Sequence, residues 1–120
     1  MGLLTGKKAF ITGAEQGIGK ESAKKLIEAG CDIYIHYFSG EEGPRELLAF
    51  AEQRGARAAC GFADLTNEDD AARCVAEAAE FLGGIDILVN NVGGIIARKW
   101  LGEIDAHFWR TVIDVNMTTM

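Results

Sequence analysis

Three glycines stand close together near the start of the chain: Gly13, Gly17 and Gly19 in ITGAEQGIG, residues 11–19. A short apolar run precedes them and a helix-like run follows. Gly13 allows a tight turn, Gly17 a close backbone approach, and Gly19 helix packing near a sheet. The N-terminus of the following helix offers free N–H groups and roughly +0.5 of charge, which favour an anion, pyrophosphate above all. The spacing is G-x-x-x-G-x-G, not the dinucleotide fingerprint G-x-G-x-x-G. The loop is therefore either a phosphate loop of another kind or a plain turn. Other chemistry is sparse. His36 and His107 have no ligand spacing to a second His or Cys, so no metal site is read. Cys31, Cys60 and Cys74 are isolated, odd in number and set in apolar runs, as expected for buried, reduced thiols.

These residues need elements to position them. Lys8 to Thr12 reads as a strand, and Ile18 to Ala29 as a helix with Ile18, Ala23, Leu26 and Ile27 on one side, closed by Gly30. Asp32 to Tyr37 is a second strand. Pro44 sits where a first helical turn tolerates proline, and the helix runs to Arg54. Ala58 to Ala63 is a third strand. Thr66 is placed to cap a helix carrying Ala71, Cys74, Val75, Ala78, Phe81 and Leu82 on one face. Ile85 to Asn90 is a fourth strand, and Asp105 caps a last helix from Ala106 onward. Alternating strands and helices predict the α/β class, with a doubly wound parallel sheet in the order 3-2-1-4. The switch point lies beyond strands 1 and 4. Both Gly-bearing turns, ITGAEQGIG and NNVGG (residues 90–94), fall there.

The glycine spacing, preceded by Thr12, resembles the cofactor loop of the short-chain dehydrogenase/reductase family. Three further matches follow in the family's order. Asp64-Leu65 ends strand 3, where the resemblance implies an Asp near the adenine. Asn90-Asn91-Val92-Gly93 resembles the family's N-N-A-G, with Val92 where Ala is usual. Asn116, in VIDVNMTTM, resembles the helix asparagine that helps hold a proton-relay water, a catalytic position. The resemblance spans Lys8 to Met120. It implies a single NAD(P)-binding Rossmann-type domain over 1–120 and an oxidoreductase acting on a carbonyl or alcohol. The general likeness is to members called 3-oxoacyl-acyl-carrier-protein reductases. Gln16 and Ile18 join the loop glycines as implied cofactor contacts. The family's Tyr-x-x-x-Lys proton donor is absent from these 120 residues, so the chain is expected to carry the cofactor half without the catalytic half, and to be inactive alone.

Cofactor choice turns on the end of strand 2. Tyr37 stands where an NAD-type Asp would bind the ribose 2′-hydroxyl, which leans the reading toward NADP, with Ser39 as a phosphate partner. Against that lean, no Arg or Lys stands at 38–40, Gln16 replaces a basic residue, and Glu15 adds negative charge. Arg98 and Lys99 are either a solvated pair or face substrate. The alternatives to an enzyme are a non-catalytic dinucleotide-binding module and a structural role with the loop empty. A net charge of -6 gives no basic footprint for nucleic acid. No run reaches membrane-spanning length and MGLLTGKK lacks a signal-peptide pattern, so a cytoplasmic protein is expected. Strand 4 would be an apolar edge, and the last helix has two apolar stripes. Burying Trp109 or Ile113 is worth roughly 1.5–3 kcal/mol each, so a homo-oligomer is expected.

Overall fold

A short turn over residues 3–6 leads into the first strand. In the computed structural model, which describes residues 2–93 and 99–119, β1 is Lys8–Ile11. Gly94, Arg98 and Met120, named above, lie outside the described residues. Next come α1 (Gly17–Glu28), β2 (Asp32–Tyr37), α2 (Glu42–Gln53), β3 (Ala58–Phe62), α3 (Glu68–Leu82), β4 (Ile87–Val89) and α4 (Ala106–Ile113). The sheet is parallel, in the order β3-β2-β1-β4, as the alternation predicts. Its register aligns Ile11 with Ile35 on one side and with Val89 on the other.

Side-chain alternation along the strands builds two cores. Ile11, Ile33 and Ile35 point to one face, where Ala23 and Ile27 of α1 and Leu47 and Ala51 of α2 cover them. Phe10 and Tyr34 point to the other, against Cys74, Ala78 and Leu82 of α3. The Phe10 and Tyr34 rings meet edge to face, with centroids 5.7 Å apart. Cys31 and Cys74 are buried as expected, whereas Cys60 on the edge strand β3 is only half-buried; all three are free thiols. Burial pushes the Cys74 thiol up to about 11, which leaves it protonated at neutral pH.

Several local expectations need correction. Ile18 is 81% exposed, because its position at the start of α1 turns it away from the sheet. Val75 is likewise exposed. The cap of α3 is Asn67, whose side chain accepts from the Asp70 amide; the Thr66 hydroxyl instead donates to Asp64 at 2.6 Å. β4 is three residues long, Ile87–Val89, shorter than the expected Ile85 to Asn90; it is the apolar edge strand expected, with Leu88 54% exposed. Asp105 caps α4 as expected, accepting from Phe108 N at 2.7 Å. The helix then widens into a π-turn, Asp114–Thr118, instead of continuing as α. No residue of α4 is buried, and Trp109 is 62% exposed. No helix among the described residues is long and apolar enough to cross a membrane.

Candidate functional site

The crevice lies where the sheet order reverses, beyond the carboxyl ends of β1 and β4. Its first part is a cleft of about 420 Å³ that includes Gly13, Gln16, Gly17, Ile18, Ser39, Val92 and Gly93 in its walls. An adjoining cavity of about 310 Å³ is walled in part by Asp64, Leu65, Val92 and Thr119. His36, Phe38, Val92 and Val115 border both.

The glycine loop is held from three sides. Gly13 (φ +65°) turns the chain out of β1, and a Cβ there would press on Val92 at 3.1 Å. Gly17 (φ +60°) opens α1, and a Cβ there would enter open space at the cleft. Gln16 precedes it in extended conformation without a side-chain cap, and the first turn carries no acidic residue. An uncapped helix start facing a cleft suits an anion. Gly19 brings the start of α1 against the ends of β1 and β4. A Cβ there would overlap the Gly13 carbonyl and the Asn91 side-chain amide.

Thr12 is a fastener rather than a wall of the crevice. Its hydroxyl oxygen accepts from Asn91 N at 2.9 Å and Val92 N at 3.3 Å, so the β4 exit is tied to the end of β1. The Asn91 side chain donates to Gly13 O at 3.0 Å. Asn90 is exposed beside this fastener. Tyr37 borders neither cavity: its ring meets Phe62 edge to face, and its hydroxyl donates to Glu41 at 3.2 Å. Asp64 is both a strand-end turn residue and a wall of the second cavity, accepting from Thr66 N at 3.0 Å. Asn116 lies over Gly93, where a Cβ would come within 2.8 Å of its Oδ1; its Nδ2 donates to Val112 O. Lys99 sits over the Phe108 ring, 4.5 Å from the centroid.

Two contributors carried little weight in the sequence. His36 is 1% exposed. Its Nδ1 accepts from Gly13 N at 3.0 Å, and its Nε2 faces Ala63 O at 2.7 Å. Those partners require the neutral ring with the proton on Nε2. The signal available was a histidine one step before the end of a central strand, on the face shared by Tyr34. Burial depresses its pKa, although the Ala63 carbonyl, Glu15 and Asp70 oppose this. The unfolded chain takes up a proton at the ordinary value of 6.5, where the folded protein still holds the neutral ring. Below that pH the unfolded state binds more protons, so the stability His36 contributes is full above 6.5 and declines as pH falls. Thermal unfolding from pH 8 to pH 5 is expected to reveal this loss, and His36→Gln is expected to flatten the slope. An unchanged slope in the variant would assign the acid sensitivity elsewhere.

The second contributor is Glu15. Its Oε2 accepts from Phe38 N at 2.7 Å, Ser39 N at 2.9 Å and Ser39 Oγ at 3.1 Å. The end of strand 2 lacks a carboxylate in sequence but not in space.

The short chain dehydrogenase family model matches residues 7–120. This chain belongs to that family. It is 34% identical over 115 residues to glucose 1-dehydrogenase 2 of Bacillus subtilis (strain 168), covering 96% of this chain and 45% of that protein. It is 36% identical over 118 residues to acetoacetyl-CoA reductase of Allochromatium vinosum, covering 93% and 46%. Among solved structures, the NADH-dependent reductase A1-R′ complexed with NAD superposes with a TM-score of 0.89 at 34% identity, covering 97% of this chain and 48% of that one. The chain thus spans about half the length of the short-chain dehydrogenases it matches. It shares their Rossmann-type sheet, and the family's relatives include both dehydrogenases and reductases.

Proposed function

We propose that residues 1–120 form one dinucleotide-binding domain of an NAD(P)-dependent oxidoreductase acting on a carbonyl or alcohol. The observation that carries the reading is the uncapped, glycine-opened start of α1 facing the crevice at the switch point. The NAD complex of the similar reductase supports it. When bound, a nicotinamide dinucleotide supplies a hydride to a carbonyl carbon or removes one from an alcohol carbon.

The chain's own residues bind and orient. The amides around Gln16, Gly17, Ile18 and Gly19 receive the pyrophosphate. Thr12 and Asn91 fix the loop, and His36 holds its first glycine. Asp64 and Leu65 border the adenine side. Val92 and Gly93 floor the crevice toward the nicotinamide, with Asn90 beside them. Asn116, next to Gly93, is read as holding the water through which a proton moves. No Tyr-x-x-x-Lys occurs in these 120 residues, so the chain alone is read as binding the dinucleotide without turnover.

The likeness to an acetoacetyl-CoA reductase supports a 3-oxoacyl thioester as one substrate class; the glucose dehydrogenase likeness supports another. The reading includes a cytoplasmic location and self-association, the latter supported by exposed Leu88, Trp109 and Met117. The test is titration of the purified chain with NADH and NADPH, followed by nicotinamide fluorescence. Saturable binding of at least one is expected. A folded chain that binds neither favours the structural alternative.

A further inference from the structure

The turn after β2 presents two backbone N–H groups and one hydroxyl toward the crevice, from Phe38 and Ser39. In a parallel α/β sheet such a cluster is a ready anion site. Here it is already taken. Glu15 reaches across from the glycine loop, and its Oε2 accepts all three hydrogen bonds that this turn donates to it. The backbone under Glu15 is fixed as well: a Cβ on Gly43, at the start of α2, would overlap the Glu15 carbonyl. Further charge nearby is mostly negative. Glu42 and Glu46 border the groove behind Glu15, and Lys20, the one cation among its described lining residues, is paired with Glu46.

We infer that Glu15 is the residue that selects the cofactor, its carboxylate accepting from the ribose hydroxyls of NAD(H) and excluding the 2′-phosphate of NADP(H). This rests on the dinucleotide reading above. The carboxylate that strand 2 lacks at Tyr37 is supplied instead by the loop after β1. A 2′-phosphate entering this corner would meet a like charge and would find the Phe38 and Ser39 amides occupied. A ribose hydroxyl would meet an acceptor already oriented by three donors. Burial alone would raise the Glu15 pKa, but the Phe38 and Ser39 amides and the Ser39 hydroxyl hold it below the ordinary carboxylate value. The group is therefore charged at neutral pH.

The test uses binding, not turnover. NADH, NADPH, 5′-AMP and adenosine 2′,5′-bisphosphate are titrated calorimetrically into the parent chain, Glu15→Gln and Glu15→Ser. The parent is expected to favour the ligands without a 2′-phosphate by at least about tenfold, the scale of one pair of like charges a few ångströms apart near a protein surface. Both variants are expected to shrink or reverse that ratio, with NADPH gaining as NADH loses. If Glu15 were only a brace, both cofactors would weaken together and the ratio would stand, which overturns the inference. A parent that prefers NADPH overturns it without any variant, so the test survives a variant that fails to fold. A folded parent binding none of the four ligands overturns the dinucleotide reading itself. Equal binding of NADH and NADPH overturns only the role of Glu15.

Discussion

Gly17→Val is expected to lower dinucleotide affinity by at least about a hundredfold while leaving the sheet folded. The expectation rests on two features of one residue. Gly17 has φ +60°, a conformation that a β-branched residue adopts only with strain of roughly 1–2 kcal/mol. Its missing Cβ faces open space at the cleft, so valine would meet no protein atom and would fill ground a pyrophosphate needs. Losing two hydrogen bonds to a charged group, at about 1.5–3 kcal/mol each, accounts for the affinity change. NADH fluorescence titration and thermal unfolding, run on the same preparations, separate the two effects. Equal affinity in parent and variant would remove Gly17 from the site.

Ile35→Ala is expected to destabilise the chain by about 2–5 kcal/mol, the usual cost of emptying a closed core position. Ile35 is fully buried on β2, with Ile11 beside it on β1 and Cys60 on β3. It lies in the cluster formed with Leu47 and Ile27. Against a total stability of about 5–15 kcal/mol, this loss threatens the fold itself. Chemical denaturation measures it. A change below about 1 kcal/mol would mean that β2 is not the closed centre described above. Because β2 also carries His36, the variant is expected to weaken ligand binding through the loop as well.

The sheet was legible in the sequence because its strands alternate with amphipathic helices, and those helices are closed by Gly30, Gly55 and Gly83. That pattern placed β1 through β4 and their order, and it put Gly13 and Gly17 at the crevice. The misses share a cause. Ile18 obeys helical spacing, yet it lies in the first turn, where the sheet no longer reaches. Thr66 and Asn67 are both good caps, and Asp64 draws the threonine hydroxyl away. Glu15 reads in sequence as negative charge near the end of strand 2, but nothing local says that its carboxylate bonds residues 38 and 39. The His36 bond to Gly13 and the Thr12 bonds to Asn91 and Val92 are equally non-local. Periodicity reports which side of its own element a residue occupies, but not which loop it will meet.

The Thr12 fastener joins positions 79 and 80 residues apart along the chain. Closing so long a segment costs entropy before any contact repays it, and such contacts form slowly compared with helix turns. The glycine loop takes its shape from that fastener, from His36 and from the turn after β2. The proposed anion-binding geometry therefore depends on contacts that the first β-α-β unit alone does not contain. A nascent chain released only as far as β2 would hold all three loop glycines and still have no site.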